Sequence, residues 1–284
     1  MKKVLVVANF NAGRKRTIRH RKKLLRLLQK TAESYRVVSI GKFNPDDVND
    51  YDTIVAIGGD GTVNAVLPYV INTDITLGII PTGTANLLAA KLGIPMNYYL
   101  ALKRLKKGQT KQIDYIDINN EPCVLRFGLG YDSDIICKTP QSLKNKFGYF
   151  AYFLSGIIFA LRLEPKEYEL TYNNQTNKVN STCIIVANAA NMYRNFFSVG
   201  NKCKLDDGLM EVFVLKTKNP ILYFFELIGI ALGLRFNSRR AEYFQTNELS
   251  IKNKWCVDHI DGEKKKHAED LNFKIENKAI KVIS

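Results

Sequence analysis

YDTIVAIGGDGTVNAVLPYV, residues 51–70, decides the fold of this chain. Positions 53–57 form an apolar run, which turns on Gly58-Gly59-Asp60-Gly61. Val63, Val66, Leu67 and Val70 then recur at helical spacing. The pattern predicts a buried parallel strand, a tight turn and a helix. Its glycines fall at the carboxyl end of the strand, the edge where open α/β sheets bind ligands. Lacking Cβ atoms, they let backbone N–H groups approach a phosphate closely. Asp60 places a carboxylate beside that cradle, which repels phosphate unless a metal ion intervenes or the carboxylate accepts a proton. The alternative reading is an ordinary strand–helix turn with an Asx cap.

Working outward, residues 4–10, 35–40 and 77–81 read as further strands and 52–57 as the strand before the turn. The last strand leads into Thr82-Gly83-Thr84-Ala85-Asn86 and a helix at 87–92, closed by Gly93 and Pro95. Strands alternating with helices predict a parallel, doubly wound α/β sheet. GGDGTVN and PTGTAN would reach one phosphate if their strands are neighbours. Thr82, Thr84 and Asn86 are neutral donors; alternatively, Thr84 and Asn86 only cap the next helix.

From about Ile113 the pattern changes to short alternating runs, among them IDYIDI, CVLRFGLG, YELTY, STCIIVANAA, LMEVFVL, NELSIK and FKIE, separated by Asn-Asn and Asp-Asp-Gly turns. This predicts a mostly antiparallel second domain with helical insertions at 141–163 and 220–243. The expected domains are 1–118 and 119–284.

The net charge of +15 over 284 residues points to a polyanionic partner: nucleic acid, nucleotide phosphates or an anionic membrane. Much of the excess lies in residues 13–30, nine Lys or Arg around a leucine face. That stretch lacks interleaved aromatics, which argues against nucleic acid. Five scattered cysteines with no Cys-x-x-Cys argue against a zinc site or disulfide framework and suit a reducing cytosol. The amino terminus shows no signal-peptide core. Residues 147–161 are uncharged yet fall short of the roughly 20 a spanning helix needs, and 221–234 are interrupted by Glu226. Both are expected to be buried core helices, with lipid contact the alternative. There is no Walker motif and no Gly-x-Ser-x-Gly, and three histidines are too few and scattered for a metal site. The acids in turn contexts, Asp60, Asp114, Asp206, Asp207, Asp261 and Glu263, point to carboxylate and Mg²⁺ chemistry on phosphate.

IVAIGGDGTVNAVL, followed by LGIIPTGTANLLAAKLGIP, KLDDGLMEV and IDGE in the same order, resembles the diacylglycerol kinase catalytic domain family, which includes bacterial soluble lipid kinases and sphingosine kinases and, more distantly, NAD kinases. The resemblance spans nearly the whole chain. It implies an α/β nucleotide-binding domain, a β-sandwich-like second domain and an active site in the cleft between them. It implies ATP bound by Asn9, Asn11, Gly13, Gly58, Gly59, Asp60, Gly61, Thr62, Asn64, Gly83, Thr84 and Asn86. It further implies Mg²⁺ held by the carbonyls of Lys204 and Leu209 and the carboxylate of Asp207, with Asp114 in the acidic network. Glu263 would be the proton acceptor, supported by Asp261 and Asp60; Asp60 is the alternative base. In an extended strand, Asp261 and Glu263 would share one face, whereas an Asp-Gly β-turn with solvated acids is the plainer reading. Phe10 and Ala12 replace the family's usual Pro and Ser, which removes one hydroxyl from the phosphate site. Leu87 stands where many relatives carry Asp, which loosens the link to diacylglycerol itself.

The expected protein is therefore a cytoplasmic, peripherally membrane-associated ATP- and Mg²⁺-dependent lipid kinase. Diacylglycerol is the first substrate to consider, then a sphingoid base, monoacylglycerol, or a prenyl or glycolipid alcohol. A homodimer is left open. The rivals are a kinase for a soluble alcohol, a non-catalytic nucleotide- or lipid-binding relative, and a nucleic-acid-binding protein.

Overall fold

Strands β1 (Lys3–Ala8), β2 (Ser34–Ser39), β3 (Thr53–Gly58) and β4 (Thr76–Pro81) lie parallel in the order β2-β1-β3-β4. They come from a computed structural model that describes residues 3–9, 25–26, 29, 32–131, 133, 139, 164–188, 204–231, 237–252, 258–265 and 270–284. Strands β3 and β4 are buried at every position, as continuous apolar runs in a sheet covered on both faces must be. Ile54, Ile57, Leu77 and Ile80 are enclosed, and burial of each such side chain contributes at most about 1.5–3 kcal/mol. The chain moves from β1 to β2 on one side and returns to β3 on the other. The order therefore reverses between β1 and β3, which puts a topological switch point at their carboxyl ends.

Helices α1 (Asp60–Val66) and α2 (Leu87–Lys91) follow β3 and β4, and α3 (Tyr98–Lys107) comes next. Asn97 caps α3, its side chain accepting from the N–H groups of Tyr99 at 2.9 Å and Leu100 at 3.4 Å. Leu102 and Leu105 of α3 pack with Val4, Val6, Val55, Ile57 and Ile80 in one core. Of the basic stretch 13–30, Leu25, Arg26 and Gln29 are described; all three are helical, and Leu25 packs against this core.

The chain divides into two compact units, Met1–Ile113 with Lys278–Ser284, and Asp114–Asn277. The second is built from the last part of β5 (Thr110–Ile118), from Asp114 on, β6 (Glu121–Cys123), β7 (Arg126–Gly130), β8 (Lys166–Tyr172), β9 (Gln175–Ser181), β10 (Cys183–Ala187), β11 (Met210–Leu215), helix α4 (Pro220–Ala231), β12 (Ala241–Thr246), β13 (Glu248–Lys252), β14 (Asp258–Ile260), β15 (Glu263–Lys265) and the first part of β16 (Asp270–Ile283). A six-stranded, wholly antiparallel sheet runs β12-β11-β10-β7-β14-β15. Its Phe127, Leu129, Ile184, Val186 and Val212 pack with Tyr168, Leu170, Ile251 and Phe273 of the strands β16-β13-β8. The alternate residues Cys183, Ile185, Phe213 and Leu215 line the opposite face, where Tyr223 and Ile230 of α4 cover them. Period-2 alternation thus feeds a sandwich core on one side and a helix-covered face on the other.

Two expectations change. The insertion at 220–243 is not helical throughout: residues 241–246 form β12, paired with β11 from Met210↔Thr246 to Leu215↔Ala241. The burial of β12 does not alternate cleanly, so its partner rather than its own pattern fixes it as a strand. The last strand also carries more than its sequence suggests. From Lys278, whose φ is +52°, it belongs with the first unit, where Val282 pairs in parallel with Leu77 of β4. The insertion at 141–163 lies outside the described residues.

Candidate active site

In the first unit the two small-polar loops are neighbours because β3 and β4 pair in register, Gly58 opposite Pro81. The Gly58 carbonyl accepts from the N–H groups of Thr82 at 2.8 Å and Gly83 at 3.2 Å. The backbones then touch: a Cβ on Gly83 would lie 2.4 Å from the Cα of Gly59. Only glycine permits this approach. Asn86 holds the second loop closed, its side-chain oxygen accepting from Gly83 N–H at 3.0 Å and its amide donating to the Gly83 carbonyl at 2.8 Å. Asn86 stands at the N-cap of α2 in left-handed conformation, φ +51°, yet makes no side-chain bond to that helix. The capping reading of Asn86 is therefore replaced by a loop-closing one. Thr84 is exposed.

Gly59 is the N-cap of α1, and its carbonyl accepts from Thr62 and Val63. Asp60 stands in the first turn, where a carboxylate is favoured by the helix dipole. Gly61 is exposed and Asn64 half-buried on the same helix. Asn9, just past β1, donates its backbone N–H to Ile57 at 2.9 Å and so lies beside the end of β3 at the switch point. Asn11 and Gly13 lie outside the described residues. The hydroxyls of Thr62 and Thr82 are buried with no hydrogen-bond partner among the described residues. The resemblance implies a nucleotide contact for Thr62; for Thr82 the sequence offers only a neutral donor. A buried orphan hydroxyl costs about 1–3 kcal/mol unless a ligand or water satisfies it. A glycine-lined cradle with two such hydroxyls fits the phosphates of a nucleotide.

The second unit gathers acids around residues 204–211. Asp114 is fully buried on β5. Its N–H donates to the Leu205 carbonyl at 2.6 Å, and its Oδ2 accepts from Gly208 N–H at 2.7 Å. Asp114 thereby fixes the loop that carries Lys204, Asp207 and Leu209. Partial desolvation raises the pKa of Asp207, an exposed residue, and the charges of Asp114, Glu211 and Asp206 raise it further against the opposing hydrogen bond from Leu209 N–H. Carboxylate and carbonyl oxygens are the hard donors Mg²⁺ takes, so Asp207 with the carbonyls of its loop would suit that ion. Among the described residues no group of three or more His, Cys, Asp or Glu side chains forms a metal cluster, so such a site would rely on the Lys204 and Leu209 carbonyls.

Asp261 and Glu263 do not share a strand face. Asp261-Gly262 is the two-residue loop of the β14–β15 hairpin, with Ile260 paired to Glu263. Both φ values are positive, +49° and +87°, the signature of a type I′ turn. Nor is Asp261 solvated. Its carboxylate is buried and accepts from the N–H groups of Val124 at 2.9 Å, Leu125 at 2.9 Å and Arg126 at 2.8 Å, with the Cys123 thiol at 3.4 Å. Burial raises its pKa, and these hydrogen bonds pull the other way. Burial and the Asp261 charge push the Cys123 thiol well up. With its oxygens committed to this corner, the Asp261 carboxylate ties the hairpin to residues 123–126. Glu263, two residues on, is exposed.

One residue that no sequence motif marks links the two acidic regions. Asn188, buried at the end of the apolar strand β10, donates its side-chain amide to the carbonyls of Asp114 at 2.7 Å and Val124 at 3.2 Å. Val124 in turn donates to Asp261. A polar residue ending the run CIIVA is the one signal available in the sequence.

Residues 3–118 match the diacylglycerol kinase catalytic domain, and residues 127–284 match the YegS C-terminal NAD kinase beta sandwich-like domain. The chain is 34% identical over 168 residues to an uncharacterized protein of Synechocystis sp., covering 59% of this chain and 39% of that one. It is 29% identical over 208 residues to a protein of Bacillus subtilis named "Diacylglycerol kinase", covering 72% and 68%. A protein of Escherichia fergusonii named "Probable lipid kinase YegS" is 35% identical over 127 residues, covering 43% and 42%. The match to the first and third of these thus spans about two fifths of their length. A solved structure of a diacylglycerol kinase from Bacillus anthracis superposes with a TM-score of 0.74 at 21% identity, over 99% of this chain and 96% of that one. A second structure from the same organism reaches 0.81 at 24% identity with equal coverage. At these identities the superpositions establish the fold.

Proposed function

From a chain that belongs to the diacylglycerol kinase family of lipid kinases, we propose an enzyme that transfers the γ-phosphoryl group of ATP to a hydroxyl of a membrane lipid, diacylglycerol first. The observation that carries this reading is the meeting of the two loops at Gly59 and Gly83, with the orphan hydroxyls of Thr62 and Thr82 buried nearby. A strand–helix turn without a ligand has no need to keep two backbones this close or two hydroxyls unsatisfied. The name of the Bacillus subtilis relative favours diacylglycerol. Leu87, which opens α2 where many relatives carry Asp, is the reason to test other lipid alcohols beside it.

When bound, ATP supplies the phosphoryl group and Mg²⁺ offsets its charge. The chain's own residues do the remainder. Backbone N–H groups at Gly59 to Gly61, with the Thr62 and Thr82 hydroxyls, hold phosphate oxygens. Asn9 borders the same strand edge. Asp207 and the carbonyls of Lys204 and Leu209 hold the metal ion, and Asp114 keeps their loop in place. Glu263 accepts the proton of the lipid hydroxyl, which is a poor nucleophile while protonated; a positioned base of this kind is worth about 10²–10⁴-fold. Asp261 aims Glu263 by tying the hairpin to the Cys123–Arg126 corner. The enzyme works at a membrane surface in the cytoplasm, with its cationic excess drawn to anionic lipid.

The test is phosphate transfer from labelled ATP with Mg²⁺ to a panel of lipid alcohols in anionic mixed micelles, for wild type, Glu263→Gln and Asp60→Asn. Transfer to one lipid, reduced at least about 100-fold by Glu263→Gln, is the expected result. Full activity in that variant with loss in Asp60→Asn moves the base to Asp60. Absence of transfer to every lipid by wild type, with ATP bound, refutes the lipid-kinase reading.

A further inference from the structure

Helix α4 carries two opposite faces. Tyr223 and Ile230 are 1% and 5% exposed and seal the outer face of the six-stranded sheet. Ile221, Phe225 and Ile228, at i, i+4 and i+7, stand 67%, 64% and 39% exposed. Three large apolar side chains on one stripe of a helix are not the scattered single exposures of an ordinary surface. Resting on the lipid-kinase reading, we propose that α4 is a membrane-docking element that lays its Ile221–Phe225–Ile228 face into the surface of an anionic bilayer.

Charge complementarity selects this occupant. Strand β11 ends at Leu215, paired with Ala241 at the start of β12, and Lys216 N–H donates to the Arg240 carbonyl at 2.7 Å. Lys216, Lys218, Arg239 and Arg240 therefore gather at the strand ends that lead into the amino end of α4, with Lys218, Arg239 and Arg240 exposed. Two carboxylates oppose them. Glu242 is paired with Lys216. Glu226 lies off the exposed stripe, and burial raises its pKa against the pull of Arg240. Exposed cations at the amino end of an exposed apolar stripe favour an anionic lipid surface, at about 1 kcal/mol per Lys or Arg near it. The 12 described residues make about 18 Å of helix, sufficient to lie along a bilayer surface, and among the described residues no helix is long and apolar enough to cross a membrane. A second copy of the chain fits less well. Three partly exposed side chains offer about 300–400 Å², against about 800 Å² per partner in a stable interface.

The test is sedimentation of the purified full chain with sucrose-loaded phosphatidylcholine vesicles, with and without about 30 mol% phosphatidylglycerol. The variants are Ile221→Ser/Phe225→Ser and, as a control on exposed apolar surface elsewhere, Leu100→Ser of α3. Wild type binds the anionic vesicles. The double variant should lose at least about tenfold in partitioning while keeping the wild-type unfolding midpoint, and the control should bind as wild type does. Unchanged vesicle binding by the double variant overturns the proposal. So does an equal loss in the control, or a double variant that changes only from dimer to monomer. Transfer to a short-chain diacylglycerol dissolved as monomers separates this from the kinase reading. Activity retained there by a double variant that no longer binds vesicles supports the docking role. Absence of transfer by wild type counts against the kinase reading while the vesicle result stands by itself.

Discussion

Gly83→Ala tests whether the close approach of the two loops builds the phosphate cradle. The added Cβ would sit 2.4 Å from Gly59 Cα, 3.0 Å from Gly59 N and 3.0 Å from the side-chain oxygen of Asn86. Two of those three atoms are backbone, so a rotamer change cannot relieve the clash. Restoring ordinary contact near 3.5 Å needs a movement of about 1 Å. That movement stretches the bonds from Thr82 N–H and Gly83 N–H to the Gly58 carbonyl, each worth about 0.5–1.5 kcal/mol. Overpacking adds about 1–3 kcal/mol, so the expected cost is about 2–6 kcal/mol. Gly59→Ala is the informative comparison, because its Cβ would lie 3.2 Å from Gly83 Cα and needs only a few tenths of an ångström. Neither residue has a left-handed φ, so conformational freedom predicts no difference between them. The assay is urea denaturation monitored with and without ATP. Gly83→Ala should be clearly less stable than Gly59→Ala and should lose most of the stabilisation by nucleotide. Equal stabilities, or a Gly83→Ala protein that keeps full nucleotide stabilisation, refute the steric account of the cradle.

Three further outcomes follow from the second unit. Asp207→Asn removes a carboxylate crowded by Asp114, Glu211 and Asp206. It should raise the unfolding temperature without Mg²⁺ and abolish the rise that Mg²⁺ produces in wild type; a variant that still responds to Mg²⁺ excludes Asp207 as a ligand. Asp261→Ala strands three backbone N–H groups that now donate to the carboxylate, at a cost of about 3 kcal/mol or more in chemical denaturation. Glu226 has its pKa raised in the folded state, so the fold favours its protonated form. Stability from this group is present at low pH and lost as pH rises through the folded pKa. Glu226→Gln should therefore stabilise near neutral pH and make no difference in acid, as read from melting temperature across pH.

The first sheet was legible because β1, β3 and β4 are near-continuous buried apolar runs, two of them ending in glycine or small polar loops, which fixes type and edge together; β2, SYRVVS, is mostly exposed and carries the weakest signal. The order of those strands was not, since apolar runs do not encode their neighbours. That β3 and β4 are adjacent, and so bring GGDG against TGTAN, appears only in the pairing. The second unit was legible as antiparallel for a different local reason, short alternating runs separated by Asn-Asn and Asp-Asp-Gly turns. Its exceptions are instructive. Strand β12 alternates poorly in burial and takes its identity from β11. The end of β16 pairs with β4, far back in the chain, and nothing in NKAIKVIS announces that return.

Asp261 shows where reading from sequence stops. Asp-Gly between short alternating runs is a strong hairpin signal, and the hairpin is there. The fate of the carboxylate is a different question. At φ +49° the Asp261 side chain turns inward and meets the N–H groups of Val124, Leu125 and Arg126, partners more than 130 positions away. Any acid at that turn would look the same in the sequence. The distinction decides the chemistry, because a carboxylate filled by three N–H donors has little capacity left to accept a proton from a substrate. Asp261 therefore anchors the turn, and Glu263, exposed on the next strand, is the carboxylate of IDGE left with the capacity the proposed base needs. Asn188 extends the anchor to Asp114, so a disturbance at the Cys123–Arg126 corner should reach the loop that carries Asp207 as well as the hairpin that carries Glu263.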